Sequence, residues 1–181
     1  MKLCSSEVWG LLVNFLAGQP ELDAIGVQCR NPVDSEAQRM QDSIMNESEE
    51  KLKAAMAEFG CQTGTLHRAE GEWLHLVAYL GVPEFLLDKI TKIPFGKGIA
   101  GVAAATREPV ELCNLQQDLG GVANEDARKT GVSGSLAVPI LSDDGEKVMG
   151  TLGVGKVVPY EFSDAEKARL EEIGQRFLAL L

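Results

Sequence analysis

Two turn signals set the tightest limit on what this chain can fold into. Glu70-Gly71-Glu72 separates Cys61–Ala69 from Trp73–Leu80, and Asp143-Asp144-Gly145 separates Ser135–Leu141 from Val148–Val158. In each case two apolar-rich runs meet across a short glycine-containing loop, the pattern of a β-hairpin. Hairpins join neighbouring strands antiparallel, so two of them commit the chain to a mainly antiparallel sheet. In the second strand Trp73, His75, Val77 and Tyr79 alternate with Leu74, Leu76, Ala78 and Leu80. Both faces are mainly apolar, which predicts a central strand covered on both sides.

Helical periodicity surrounds these hairpins. Val8, Leu11, Leu12, Phe15 and Leu16 recur at i, i+3, i+4, i+7, i+8 and predict an amphipathic helix over Ser6–Ala17, broken at Gly18-Gln19-Pro20. A short element, Glu21–Cys29, and a turn at Asn31-Pro32 come after it. A long helix is predicted from Ser35 to Phe59, with Leu52, Met56 and Phe59 on one face and Gly60 as its stop. Between the hairpins the sequence reads as a short helix over Pro83–Ile90, a brief strand over Thr91–Phe95 and a turn at Gly96-Lys97-Gly98. A helix over Ile99–Thr106, a strand over Pro109–Leu115 and a polar segment over Gln116–Val132 come next. The chain closes on a helix opened by Ser163 and Glu166, which have capping-box spacing, with Leu170, Ile173, Phe177 and Leu180 as its apolar stripe. The expected fold is α+β, with a mainly antiparallel sheet of about six strands sandwiched between terminal helices and crossover helices. The expected organisation is an N-terminal helical extension over 1–45 and one domain over 46–181.

Composition removes several functional classes. The formal net charge is −10, and the seventeen basic residues are scattered singly, so no nucleic-acid surface is expected. No apolar run approaches the ~20 residues that span a bilayer, so no membrane partner is expected and a cytoplasmic location is. Cys4, Cys29, Cys61 and Cys113 lie far apart without Cys-x-x-Cys or Cys/His ligand spacing, which predicts reduced thiols and no metal site.

In combination, Cys61–Gly81, Ile93-Pro94-Phe95-Gly96-Lys97-Gly98-Ile99-Ala100-Gly101, Pro109-Val110, Leu136–Ile140, Gly150–Val154 and Phe162-Ser163 resemble the GAF domain family over roughly Glu47 to Leu181. The resemblance implies a PAS-like fold that binds a small molecule between the sheet and the crossover helices, and dimerisation through terminal helices. The Gly96–Ile99 stretch supports a pocket independently. Glycines allow close backbone approach, and the unpaired N–H groups that open the next helix suit an anion or a carbonyl oxygen. A purely packing role for these glycines remains open beside it. Gly150, Gly153 and Gly155 make room from the sheet side or mark bulges. The expected ligand contacts are Trp73, Tyr79, Phe95, Gly96, Gly98, Ile99, Ala100 and Leu136. Leu52, Met56, Phe59, Leu170, Ile173 and Phe177 are the expected packing or dimer-interface residues.

Catalytic members of the resembled family supply the main rival. Free methionine-(R)-sulfoxide reductases carry a thiolate nucleophile in the loop before the Leu136 strand, where Asn124 stands here, and Cys113 lies on a different strand. The cyclic-nucleotide signature fails at three polar positions, and no Cys is followed by His as a bilin would need. No cofactor is therefore expected. A three-residue loop at Glu70–Glu72 would set His67 opposite His75, whereas a two-residue loop would pair His67 with Leu74; either way further metal ligands are missing. The stretch Asn114–Gly134 reads as a lid over the pocket or as a solvated connection. It resembles the corresponding part of small stand-alone bacterial members of the family, including nitrate receptors. The functional expectation is a non-catalytic sensor of a small molecule, nitrate or another small anion among the candidates. It would act as a homodimer and signal in trans to a partner protein. The alternatives are the reductase and a ligand-free dimerisation module.

Overall fold

The computed structural model describes residues 32–114 and 132–181, with side chains from residue 39 onward. Residues Met40–Leu181 form one compact unit, which contains the whole sheet. Helix α1 (Pro32–Phe59) begins three residues earlier than the periodicity predicts. Proline is well suited to a first helical turn, where its missing N–H has no partner to lose. The helix ends at Gly60, whose φ of +62° turns the chain left-handed; the Cys61 N–H then closes on the Met56 carbonyl at 2.9 Å.

Strands β1 (Thr63–Glu70) and β2 (Trp73–Leu80) form the first hairpin, followed by α2 (Glu84–Ile90), β3 (Lys92–Pro94), α3 (Gly98–Thr106) and β4 (Val110–Leu112). The second hairpin is β5 (Gly134–Leu141) and β6 (Val148–Lys156), and α4 (Asp164–Gln175) closes the domain before a 3-10 turn over Leu178–Leu180. The six strands form one sheet in the order β3-β2-β1-β6-β5-β4, and every neighbouring pair is antiparallel. The α+β sandwich expected from the sequence is the fold observed. The predicted helix Ser6–Ala17, Cys4, Cys29, Asn124 and most of the Asn114–Gly134 stretch lie outside the described residues.

One face of the sheet is packed by the terminal helices. Leu66, Leu152, Leu136, Val154, Val138 and Ile140 meet Leu52 and Phe59 of α1, Leu170 and Ile173 of α4, and Phe177. Gly174 lies close to Ile140, Val138 and Leu152, so α4 sits directly on β5 and β6. Ser163 and Glu166 form the complete capping box at the start of α4. The six residues expected at a packing or dimer interface are placed by this core. Leu52, Phe59, Leu170, Ile173 and Phe177 are all under 8% exposed, and Met56 packs half-buried against them. These side chains therefore pack within the chain.

The first hairpin departs from both predicted registers. Its loop is Gly71-Glu72, with Gly71 at φ +62°, and Glu70 pairs with Trp73. Glycine at the first of two loop positions is what a type II′ turn requires. His67 therefore faces Leu76, His75 faces Arg68, and the register shifts between Leu66 and His67. Since His67 and Arg68 are consecutive, the two histidines point to opposite faces. Strand β2 lies second from the edge, and β3 pairs only with Trp73, Leu74 and His75, so the remainder of β2 is less covered than predicted.

Candidate functional site

The second face of the sheet, beneath α2 and α3, holds a cavity of about 580 Å³. Local sequence explains why the roof stays clear of the floor. Gly96 (φ +81°) and Gly98 (φ +65°) make a turn in which the Gly96 N–H donates to the Gly101 carbonyl at 2.6 Å and the Lys97 N–H to that of Pro94 at 3.2 Å. A Cβ on Gly101 would lie 2.5 Å from the Pro94 oxygen, so only glycine permits this approach of helix to strand. α3 then begins at Gly98 with no side-chain cap and no acidic residue in its first turn. Gly98, Ile99 and Ala100 line the cavity. The first N–H groups of a helix lack intrahelical acceptors and carry partial positive charge, so this turn favours an acceptor atom on whatever occupies the space.

The floor is made by β1, β5 and β6. Thr63 pairs with Gly155 and Thr65 with Gly153, so each threonine stands opposite a glycine on the same face. A Cβ on Gly153 would lie 2.9 Å from the Thr65 Oγ1, and one on Gly155 would lie 2.5 Å from the Thr63 Oγ1 and 2.8 Å from Val132. Together with Ser135 these threonines give the floor three hydroxyls, which can donate or accept. Gly150 serves the opposite face, close to Leu181, and its backbone closely approaches that of His67. Apolar walls come from Val82, Leu86, Ile93 and Ile99, while the charged residues around the cavity, Asp88, Lys89, Lys92 and Lys97, are at least partly solvent-exposed.

His67 completes the wall and is its most buried polar side chain, only 1% exposed. Its Nε2 lies 3.0 Å from the carbonyl oxygen of Ile90 at the end of α2. A carbonyl can only accept, so Nε2 carries the proton and Nδ1 presents a lone pair. Burial pushes the imidazole down to about 4, against the upward pull of the Ile90 carbonyl, so it is neutral at physiological pH.

The expected contact residues divide between this cavity and other places. Gly98, Ile99 and Ala100 line it; Leu136 borders it while its side chain belongs to the core of the other face. Trp73 is 42% exposed and carries the Lys92 ammonium 4.5 Å above its ring, and Tyr79 is 41% exposed. Phe95 borders a separate shallow depression with Ala104, Ala105 and Met149, and Gly96 shapes the turn from outside the lining. Sequence reasoning missed Thr63, Thr65, Ser135 and His67 as wall residues. A readable signal existed for the threonines, because Thr-Gly-Thr alternates at period two as Gly153-Val154-Gly155 does.

The two described thiols lie outside the lining. Cys61 is buried in the helix-side core, where desolvation raises it to about 11 and keeps it protonated. Cys113 is exposed just beyond β4, with its Sγ 4.0 Å from a Glu111 carboxylate oxygen. Among the described residues no three His, Cys, Asp or Glu side chains converge to hold a metal, and no helix is long and apolar enough to cross a membrane.

Comparison with known proteins places this geometry. A GAF domain family model matches residues 49–177. No curated protein matches the chain. Among solved structures it is similar to the GAF domain of an Acinetobacter phosphoenolpyruvate-protein phosphotransferase, at 16% identity and TM-score 0.61 over 83% of this chain and 93% of that one. It is also similar to the type II free methionine-R-sulfoxide reductase of Thermoplasma acidophilum, at 14% identity and TM-score 0.62 over 77% and 93% of the two chains. A third similar structure is fRMsr of Staphylococcus aureus in complex with substrate, at 25% identity and TM-score 0.53 over 67% and 72%. The fold is thus shared by a GAF domain of a larger protein and by reductases.

Proposed function

Because the chain belongs to the GAF domain family, we propose that it binds a small molecule in the cavity beneath α2 and α3 and acts as a non-catalytic sensory or regulatory domain. The observation that carries this reading is the construction of the cavity. Gly153 and Gly155 hold its floor open, three hydroxyls line it, and the uncapped turn of α3 closes one wall. A ligand oxygen, from a carboxylate, a carbonyl or an anion such as nitrate, accepts from the Gly98–Ala100 amides. The two described thiols stand apart from this space: Cys61 is protonated in the opposite core, and Cys113 is at the surface. A nucleophile for sulfoxide chemistry must reach the bound substrate, and neither described sulfur borders the cavity.

Occupancy favours one placement of α2 and α3 over others. The sheet passes that bias to α1 and α4 on its far side, where a partner protein or a second copy would read it. Homodimerisation and output in trans belong to this proposal. The test is extraction of the purified protein under denaturing conditions, with mass spectrometry of the released small molecules, beside a reductase assay on free methionine-(R)-sulfoxide. A bound organic molecule or anion and no turnover are expected. Turnover that disappears in Cys113→Ser would replace the sensor with an enzyme.

A further inference from the structure

We infer that the ligand of this cavity is an amphipathic acid, an apolar body of about ten or more non-hydrogen atoms carrying one small anionic head. The inference rests on the proposed binding role of the cavity and narrows the chemistry of what enters it. A volume of about 580 Å³ is the share that roughly twenty water molecules take in the liquid, so a bare anion such as nitrate leaves most of it to solvent. The walls select what fills the rest. Val82, Ile90, Ile93 and Ile99 all line the cavity and are only half-buried. These β-branched side chains are stiff, and they keep apolar area that packing within the chain does not cover. Removing that area from water favours a ligand whose own surface is apolar. On the floor, Thr63 and Thr65 are half-buried as well and offer a few hydroxyls beside the aliphatic wall, the balance found in sites for organic molecules. Charge supplies the head. The chain carries a formal net charge of −10, yet the charged residues lining the cavity are Lys89, Lys92 and Lys97 against Asp88 alone. A local cationic excess on an acidic protein concentrates anions there. Lys97 directly precedes Gly98, so its charge adds to that of the uncapped first turn of α3.

The probes are sodium nitrate, the sodium salts of acetic, butyric, hexanoic and octanoic acids, and hexanamide as the uncharged mate of hexanoate. Each is scored by titration and by melting shift at constant ionic strength. Nitrate and acetate are expected to bind weakest, with affinity rising about twofold to fourfold per added methylene towards octanoate. Hexanamide should bind about fivefold or more weakly than hexanoate. Ile99→Thr and Val82→Thr keep the β-branched shape and remove apolar contact, so each should weaken octanoate about fivefold or more and leave acetate unchanged. Val158→Thr, at an exposed position outside the cavity, should change neither and separates the cavity from surface adsorption. Affinity independent of chain length, hexanamide binding as tightly as hexanoate, or octanoate binding untouched by both wall substitutions overturns the inference. If nitrate or acetate then still binds the wild type and not Gly153→Val, the binding role stands with a different ligand. No binding by any probe to the wild-type protein removes this inference and counts against the binding role itself.

Discussion

The two faces of the sheet use the same strands for opposite ends. On the helix side, strand alternation delivers Leu66, Leu136, Val138, Ile140, Leu152 and Val154 into a core closed by α1 and α4. On the crossover side, the intervening positions are Thr63, Thr65, Ser135, Gly153 and Gly155, and the result is an open cavity under α2 and α3. Stability therefore resides chiefly in one face, and the binding role is proposed for the other.

This contrast predicts how variants behave. Phe177→Ala should produce the largest loss, about 3–5 kcal/mol in urea unfolding, because removing a fully buried aromatic ring leaves a cavity in the core. A much smaller loss would mean the helix side is not the stabilising face. Next in size is the response to acid. His67 titrates at about 4 in the folded chain against its usual 6.5, so the unfolded chain binds the proton first. Its contribution is complete above pH 6.5 and is lost as the pH falls towards 4, at up to about 1.4 kcal/mol per pH unit. The difference between wild type and His67→Gln across that window isolates the effect, since the carboxylates and the charged cavity residues Asp88, Lys89, Lys92 and Lys97 are common to both. A pH-independent difference would remove the buried neutral imidazole from the picture.

Gly155→Ala tests the floor. Its new methyl meets the Thr63 hydroxyl and Val132, and overpacking of this kind costs about 1–3 kcal/mol. Equal stability would show that the floor can relax and that glycine is not required there. The smallest effect expected is at the end of the packed face, where Ser163→Ala removes the capping box of α4 at a cost of about 1 kcal/mol; thermal unfolding measures it.

Much of this division was legible in the residues. The turn glycines gave both hairpins, the Ser163–Glu166 spacing gave the capping box, and Gly96 to Gly101 gave the junction that became a cavity wall. These are local signals, and local backbone chemistry decides them. His67 was not placed, because its partner depends on which two residues form the loop. Trp73 and Tyr79 looked internal from their alternation, yet both are more than 40% exposed, because coverage of a strand face is decided by distant segments that local alternation does not report. The expected interface residues followed the correct apolar stripe. A stripe alone does not say whether it meets its own sheet or another chain.

The binding role of the crossover face has one decisive comparison: the melting shifts of the wild-type protein and of Gly153→Val with the same set of nitrate, acetamide, glycine, cyclic nucleotides and octanoate. The valine side chain grows from the cavity floor at a position where the nearest neighbour is the Thr65 hydroxyl, so the packed face is left intact. A probe that stabilises the wild type should lose its effect in Gly153→Val while the variant, though less stable by the overpacking of its floor, still unfolds cooperatively. If every probe that binds shifts both proteins equally, or none shifts either, the cavity is not the binding site.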